Sequence, residues 1–184
     1  MLNALFDRRS IRAFSGEPLD KETITYLLRC AINAPTAHYL QPWYFAAVTN
    51  TALLDEFDAD FHRVYKDHRP GSTKPMNAEY KLFFNAPAVI FAYVDASRNV
   101  FSKLDCAMAI ENVVLAATEM NLGSLVNGYS IMMLMEFPEL AEKYAKLFGV
   151  PEGYEPVITA AVGRRKSDPP QPRPRDESKF RIIE

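Results

Sequence analysis

The sequence predicts an α+β fold: a short-stranded, mixed or antiparallel central sheet flanked by helices. Three observations carry this reading. Helical and strand-like apolar patterns alternate irregularly, and every strand-like run is short. No GxGxxG or GxxxxGK[ST] loop follows a first strand, as a doubly wound nucleotide-binding fold would want. At 184 residues, 48% apolar and 24% charged, the chain is sized for one domain spanning 1–184 around one core. Twelve Phe, nine Tyr and a net charge of −2 exclude a disordered polymer. No run reaches the roughly 18–20 uncharged apolar residues of a membrane helix. The start, MLNALFDRRS, lacks a secretory pattern. Cys30 and Cys106 form neither a disulfide framework nor a metal-ligand spacing, so a reducing cytoplasm is expected.

Taken in order, Asp20 caps a helix that places Ile24, Leu27, Leu28, Ala31 and Ile32 on one face, and Pro35 ends it. Trp43–Thr49, aromatic and β-branched, reads as a strand. Asn50 caps a second helix with Leu53, Leu54, Phe57, Phe61 and Val64 inward. The polar stretch 67–74, with Pro70 and Gly71, reads as a mobile loop. A short helix is expected over 77–84. Ala88–Val94 has almost no polar residue, which predicts a central strand. Ser102 and Asp105 form an S-x-x-D capping signal before the longest apolar helix, expected to run to about Asn121 as a buried spine. Gly123 is expected to close it in the left-handed conformation. Leu125–Tyr129 reads as a strand, Pro138–Phe148 as a helix and Val157–Val162 as another strand. From Gly163 to Glu184 the chain is the end of a strand followed by an extended arm, because Pro169, Pro170, Pro172 and Pro174 forbid regular structure.

The small net charge conceals a pattern. Residues 1–14 carry +2 and residues 164–184 carry +3, so the middle carries −7. Basic ends around an acidic middle make an anion site if they meet in space, and a solvated tail if they do not. Arg8, Arg9 and Arg12 surround Ser10, and guanidinium forks match phosphate oxygens. A second cluster, Ala34-Pro35-Thr36-Ala37-His38-Tyr39-Leu40-Gln41-Pro42-Trp43, lies where a helix ends and a strand begins. Thr36 and Gln41 offer neutral hydrogen-bonding groups there, while Tyr39 or Trp43 can lie against a planar ring. The same segment also suits a rigid turn anchoring a core Trp.

Four segments together resemble the FMN-dependent nitroreductase family. They are Arg8-Arg9-Ser10-Ile11-Arg12-Ala13-Phe14; Ala-Pro-Thr through Gln41-Pro42-Trp43; Asp105 to Asn112 with Ala116-Ala117-Thr118-Glu119 and Leu122-Gly123-Ser124; and Gly163-Arg164-Arg165 followed by Pro169 to Arg175. The resemblance covers about residues 5–176, in order and spacing. It implies a nitroreductase-like fold and bound FMN, with NADH or NADPH as hydride donor and a nitroaromatic, quinone or similar electron-poor acceptor in a ping-pong cycle. It also implies an intertwined homodimer with flavin sites at the interface and the C-terminal arm reaching the partner.

Carried over by position, Arg8, Arg9 and Ser10 with Arg173 and Arg175 match the phosphate and flavin contacts. Arg12 matches the cation beside flavin N1/O2, where a positive charge stabilises the reduced ring. Thr36, Tyr39 and Gln41 match the ring-binding loop, and Gly128, preceded by Asn127, matches the glycine whose backbone lies near N5. No side chain is expected as a catalytic group, because the flavin carries the chemistry. The sequence departs from the family at Tyr39, where asparagine is common. A phenol replaces one donor but not a two-sided amide, so it alters the contact to the pyrimidine edge or narrows the substrate space. The expected lid spans about 61–80, with His62, Tyr65, Lys66 and Met76.

Other readings stay open: a family relative with different flavin chemistry, such as reductive dehalogenation or flavin fragmentation, or a flavin-binding or regulatory protein with little turnover. His62, Asp67 and His68 have no recognised ligand spacing, so no metal is expected. Cys106 reads as a small core residue, and Met132, Met133 and Met135 as packing. Neither nucleic acid nor a membrane is an expected partner.

Overall fold

The computed structural model describes residues 3–66, 70, 76 and 79–184. Its helices are α1 (Ala4–Asp7), α2 (Lys21–Ile32), α3 (Thr51–Tyr65), α4 (Ser102–Glu119), α5 (Tyr129–Glu136) and α6 (Pro138–Phe148). Its strands are β1 (Trp43–Val48), β2 (Ala88–Val94), β3 (Gly123–Asn127) and β4 (Glu155–Gly163). The four strands form one sheet in the order β1-β2-β4-β3, antiparallel at every pairing. The α+β class read from the sequence is therefore correct, with the antiparallel form realised.

All seven residues of β2 are buried because both of its faces are covered. Val89, Phe91 and Tyr93 point into a core filled by Phe57 and Phe61 of α3, Met133 of α5 and Tyr144 of α6. Ile90 and Ala92 point into a second core built from Leu27 and Ala31 of α2 and from Cys106, Ala109, Ile110 and Val113 of α4. Alternation with period two thus sorts one strand's side chains into two cores.

The capped helices form as the sequence indicates. Asp20 accepts a hydrogen bond from the Thr23 amide at 2.6 Å, and Asn50 accepts from the amides of Ala52 and Leu53. Pro138 opens α6, and Gly149 ends it at φ 68.

Several expectations are corrected. Leu82–Asn85 is a turn, with Phe84 and Asn85 at positive φ; the described part of 77–84 is not helical. The loop expected over 67–74 lies, except for Pro70, outside the described residues. The strand expected at 125–129 is shifted to Gly123–Asn127, and Tyr129 begins helix α5, which the sequence reading missed. Asn121, at φ 58, supplies the left-handed turn after α4; Gly123 is already in β3. Its glycine serves close approach instead: an added Cβ would lie 2.9 Å from Arg165 Cγ and 3.0 Å from Ile11 Cγ1.

Neither member of the S-x-x-D signal caps α4. Ser102 is its first helical residue, and Asp105 turns away to accept from the Ala37 amide at 3.2 Å. Nor is α4 covered all round. One face is core, while Phe101 just before it, Leu104 and Met108 are exposed.

Candidate functional site

The N-terminal arginine motif is held against the edge of the sheet. The Ile11 amide donates to the Ser124 carbonyl at 2.9 Å, pairing this segment with β3. Further on, the Ser15 amide donates to Arg164 O at 3.0 Å, and the Lys166 amide to Ala13 O at 3.1 Å. Ile11 and Phe14 are buried, so apolar anchoring and these bonds fix residues 10–15 beside the chain that leaves β4. The two basic ends of the sequence thereby meet.

They line one groove of about 620 Å³, walled by Arg8, Arg9, Ser10 and Arg12 from one end and by Pro170, Gln171, Pro172, Arg173 and Arg175 from the other. Among the described residues, five arginines and no carboxylate line it. Such a concentration of one sign favours an anion, and guanidinium forks suit phosphate oxygens. Within the groove Arg9 is turned to the backbone: its Nη1 donates to Phe6 O at 2.6 Å and Arg8 O at 2.8 Å. Arg12 Nη1 reaches Ser10 O only at 3.5 Å, leaving most of its donors facing solvent.

Thr36, Tyr39 and Gln41 do not line this groove. They sit on a tight turn containing a 3-10 helix, Ala37–Tyr39, in which His38, Tyr39 and Gln41 hold φ of 53°, 61° and 45°. Three non-glycine residues in the left-handed region cost about 1–2 kcal/mol each, so the surroundings must impose the conformation. The Gln41 amide donates to Thr36 Oγ1 at 3.3 Å, Asp105 holds the Ala37 amide, and Pro42 and Trp43 are buried immediately after. The turn presents His38, Tyr39 (88% exposed) and Gln41 to solvent. Asp105 is a member of this site that sequence reasoning missed. Its apparent capping signal pointed elsewhere, and only the 68-residue separation closed in space reveals the contact.

Asn127 and Gly128 form the third element, where β3 turns into α5. Asn127 is buried and its carboxamide is held within the protein at both ends, Nδ2 donating to Leu82 O at 2.8 Å and Oδ1 accepting from the Ser130 amide at 3.1 Å. Gly128 is exposed, with φ −92° and ψ −24°, a conformation open to any residue. Among the described residues, nothing beyond its own chain neighbours and helix backbone lies within 4 Å of where its Cβ would be. Neither the backbone nor internal packing demands a glycine here, so the space beside it is free for something outside the chain.

Two sequence candidates for reactivity are set aside by geometry. Burial, and secondarily the Asp105 charge, push the Cys106 thiol up to about 12, which leaves it protonated and unreactive. His62 Nε2 lies 2.6 Å from Tyr80 O and 3.9 Å from Asp58 Oδ2, within a structural cluster. Asp67 and His68 lie outside the described residues. Among the described residues no group of three His, Cys, Asp or Glu could hold a metal ion. No helix among them is long and apolar enough to cross a membrane.

The nitroreductase family model matches residues 5–164. A Methanothermobacter thermautotrophicus protein, provisionally named an NADH dehydrogenase/NAD(P)H nitroreductase, is 27% identical over 172 residues, covering 92% of this chain and 79% of that one. The crystal structure of a Desulfitobacterium hafniense nitroreductase with bound FMN superposes with a TM-score of 0.86 at 25% identity, covering 100% of this chain and 97% of the other. An iodotyrosine deiodinase bound to FMN and 3-iodo-L-tyrosine superposes with a TM-score of 0.74 at 24% identity over 100% and 98% of the two chains, a likeness of fold. The match runs from the first helix through the last strand, across the segments that bring the basic ends together: the chain belongs to the nitroreductase family.

Proposed function

We propose that this chain is an FMN-dependent oxidoreductase that passes hydride from NADH or NADPH to a nitroaromatic, quinone or similar electron-poor acceptor, donor and acceptor using the same face in turn. When bound, FMN supplies the two-electron carrier, with N5 as the atom that exchanges hydride. The single observation that carries the reading is the groove in which Arg8, Arg12, Arg173 and Arg175 converge without an acid among them.

In this reading Arg8, Ser10, Arg173 and Arg175 hold the phosphate, with Arg9 ordering the end of α1 beside them. Arg12 stands beside N1/O2, where its fixed charge favours the electron-rich ring. Thr36, Tyr39 and Gln41 contact the ring from their strained turn, and the Gly128 backbone approaches N5 through the open space at its Cα. No side chain transfers a proton as an obligatory step; the chain binds, orients and excludes water.

The working unit is a homodimer with flavin sites at the interface. Phe101, Leu104 and Met108 form an exposed apolar stripe along the start of α4, and Phe180, Ile182 and Ile183 on the arm are each at least 70% exposed. A lone chain has no use for such surface, and a second copy would cover it. The separation of the 36–41 turn from the basic groove supports a site assembled from two chains. Both cysteines are free thiols, in keeping with the cytoplasm expected from composition.

The test is an FMN titration of the purified protein followed by oxidation of NADH and NADPH with a quinone and a nitroarene. Stoichiometric FMN uptake with acceptor-dependent oxidation is expected. A protein that takes up no FMN overturns the reading. FMN uptake without reduction by either nicotinamide assigns it to flavin binding with little turnover. Iodide release from an iodotyrosine, with no reduction of nitroarene or quinone, assigns it to reductive dehalogenation.

A further inference from the structure

Beneath Gly128 lies a closed set of buried hydrogen bonds that the proposed chemistry has not used. Thr159 Oγ1, from β4, donates to the Asn127 carbonyl at 2.9 Å. Ser130 Oγ lies 2.9 Å from Thr159 Oγ1 and 3.3 Å from the same carbonyl. Thr159 has one proton, and it is engaged by Asn127 O, so Ser130 is the donor between the two hydroxyls. Both residues are fully buried. On the other flank Leu82 is gripped twice, its amide donating to Asp58 Oδ1 at 2.7 Å and its carbonyl accepting from Asn127 Nδ2 at 2.8 Å.

The carbonyl of Asn127 and the N–H of Gly128 belong to one peptide plane. That plane is rigid and trans, so the two groups point in opposite directions. Holding the carbonyl inward on the Thr159 hydroxyl, which the Ser130 hydroxyl in turn holds in place, therefore sends the Gly128 N–H outward, toward the open side of an exposed glycine. A peptide next to a glycine otherwise rotates easily, because glycine tolerates most φ and ψ.

We propose that Thr159 and Ser130 are positioning residues that lock the Asn127–Gly128 peptide, so that the Gly128 N–H is presented as a fixed donor to flavin N5. The assignment rests on the FMN reading above. A donor aimed at the N5 lone pair before reaction withdraws electron density and makes N5 a better hydride acceptor, without reorganisation at the moment of transfer, while the charge itself settles at N1/O2. Asn127 belongs to the same device through its carboxamide, as the clamp between Leu82 and the first turn of α5.

The test uses Thr159→Val, which keeps the shape and removes the hydroxyl, Thr159→Ser, which restores it, and the double variant Thr159→Val with Ser130→Ala. In the FMN-loaded protein, Thr159→Val is expected to slow flavin reduction by nicotinamide about five- to tenfold, the loss of roughly one hydrogen bond in the transition state. The double variant is expected to lose more. FMN affinity should stay within about threefold, because the arginine groove is a separate contact. The visible absorption band of bound FMN should shift in Thr159→Val and return in Thr159→Ser.

In FMN-free protein labelled at its seven glycines, the Gly128 amide resonance should move in Thr159→Val and return in Thr159→Ser. An unmoved Gly128 resonance, or a Thr159→Val enzyme with wild-type spectrum and rate, overturns the proposal. So does a Thr159→Ser protein as impaired as Thr159→Val, since the hydroxyl would then not be the cause. If the wild-type chain takes up no FMN, the functional reading falls alone, and the resonance measurement still decides whether the hydroxyls orient the peptide.

Discussion

Arg8 and Arg175 stand 167 positions apart in sequence and share one groove. Each can make a charge-assisted bond to a phosphate, worth about 1.5–3 kcal/mol. Replacing both by alanine should weaken FMN binding at least about a hundredfold, read by fluorescence titration, with little change in the melting temperature of the FMN-free protein. Unchanged affinity would remove the phosphate assignment. Gly128→Ala separates fold from ligand in the same way. Its φ and surroundings accept a methyl group, so stability should move by no more than about 0.5 kcal/mol, whereas FMN affinity should fall tenfold or more if the ring packs there. A wild-type affinity would show that the open space serves something else. The arginines were legible in the sequence because residue type and clustering announce anion chemistry. Asp105, Ser130 and Thr159 were not, because each acts through a partner that only folding brings near.

Among the elements, α3 and α6 are joined by two carboxylates, Glu56, paired with Lys143 at 2.6 Å, and the more buried Asp60. Asp60 accepts from Arg63 and Tyr144 at 2.8 Å and from Lys143 at 2.7 Å. Burial pushes this carboxyl up, but the bonds from Lys143, Arg63 and Tyr144 outweigh it and hold it below its ordinary value. A depressed carboxyl stabilises the fold at neutral pH and loses that contribution as pH falls through its folded-state value. Asp60→Asn should therefore cost about 1–3 kcal/mol at pH 7, with the gap from wild type narrowing in acid. Denaturant titrations at several pH values check this, and a pH-independent gap would assign the loss to packing.

The capped, periodic helices α2, α3 and α6 were legible to within a residue or two. Helix α5 was not, because YSIMMLME is almost wholly apolar and shows no polar face, and its first turn is bonded by Asn127 from within the preceding strand. Likewise, Gly123 looked like a helix terminator until Ile11 and Arg165 were found against its Cα.

For the whole molecule, the apolar stripe on α4 predicts the assembly. Leu104→Glu with Met108→Glu puts two charges on that stripe. It should shift the mass measured by light scattering from dimer to monomer and abolish FMN retention, since the site is proposed to need both chains. A monomer that keeps FMN would detach the cofactor from the interface; a persistent dimer would place the interface elsewhere. This surface also explains why the helix was misjudged as a buried spine. Apolar residues around most of a circumference do not distinguish burial within one chain from burial between two.

The sequence by itself determined the α+β class, the capped helices, the central strand β2 and the family, because these rest on local periodicity, capping and residue type. The tertiary structure decided what depends on distant partners. It joined two basic ends into one groove, turned Asp105 from a helix cap into the anchor of the 36–41 turn, and enclosed Asn127 in a hydrogen-bond network. Hydrogen bonds and close approaches are satisfied by whatever lies nearest after folding, and nearness in the chain does not specify that.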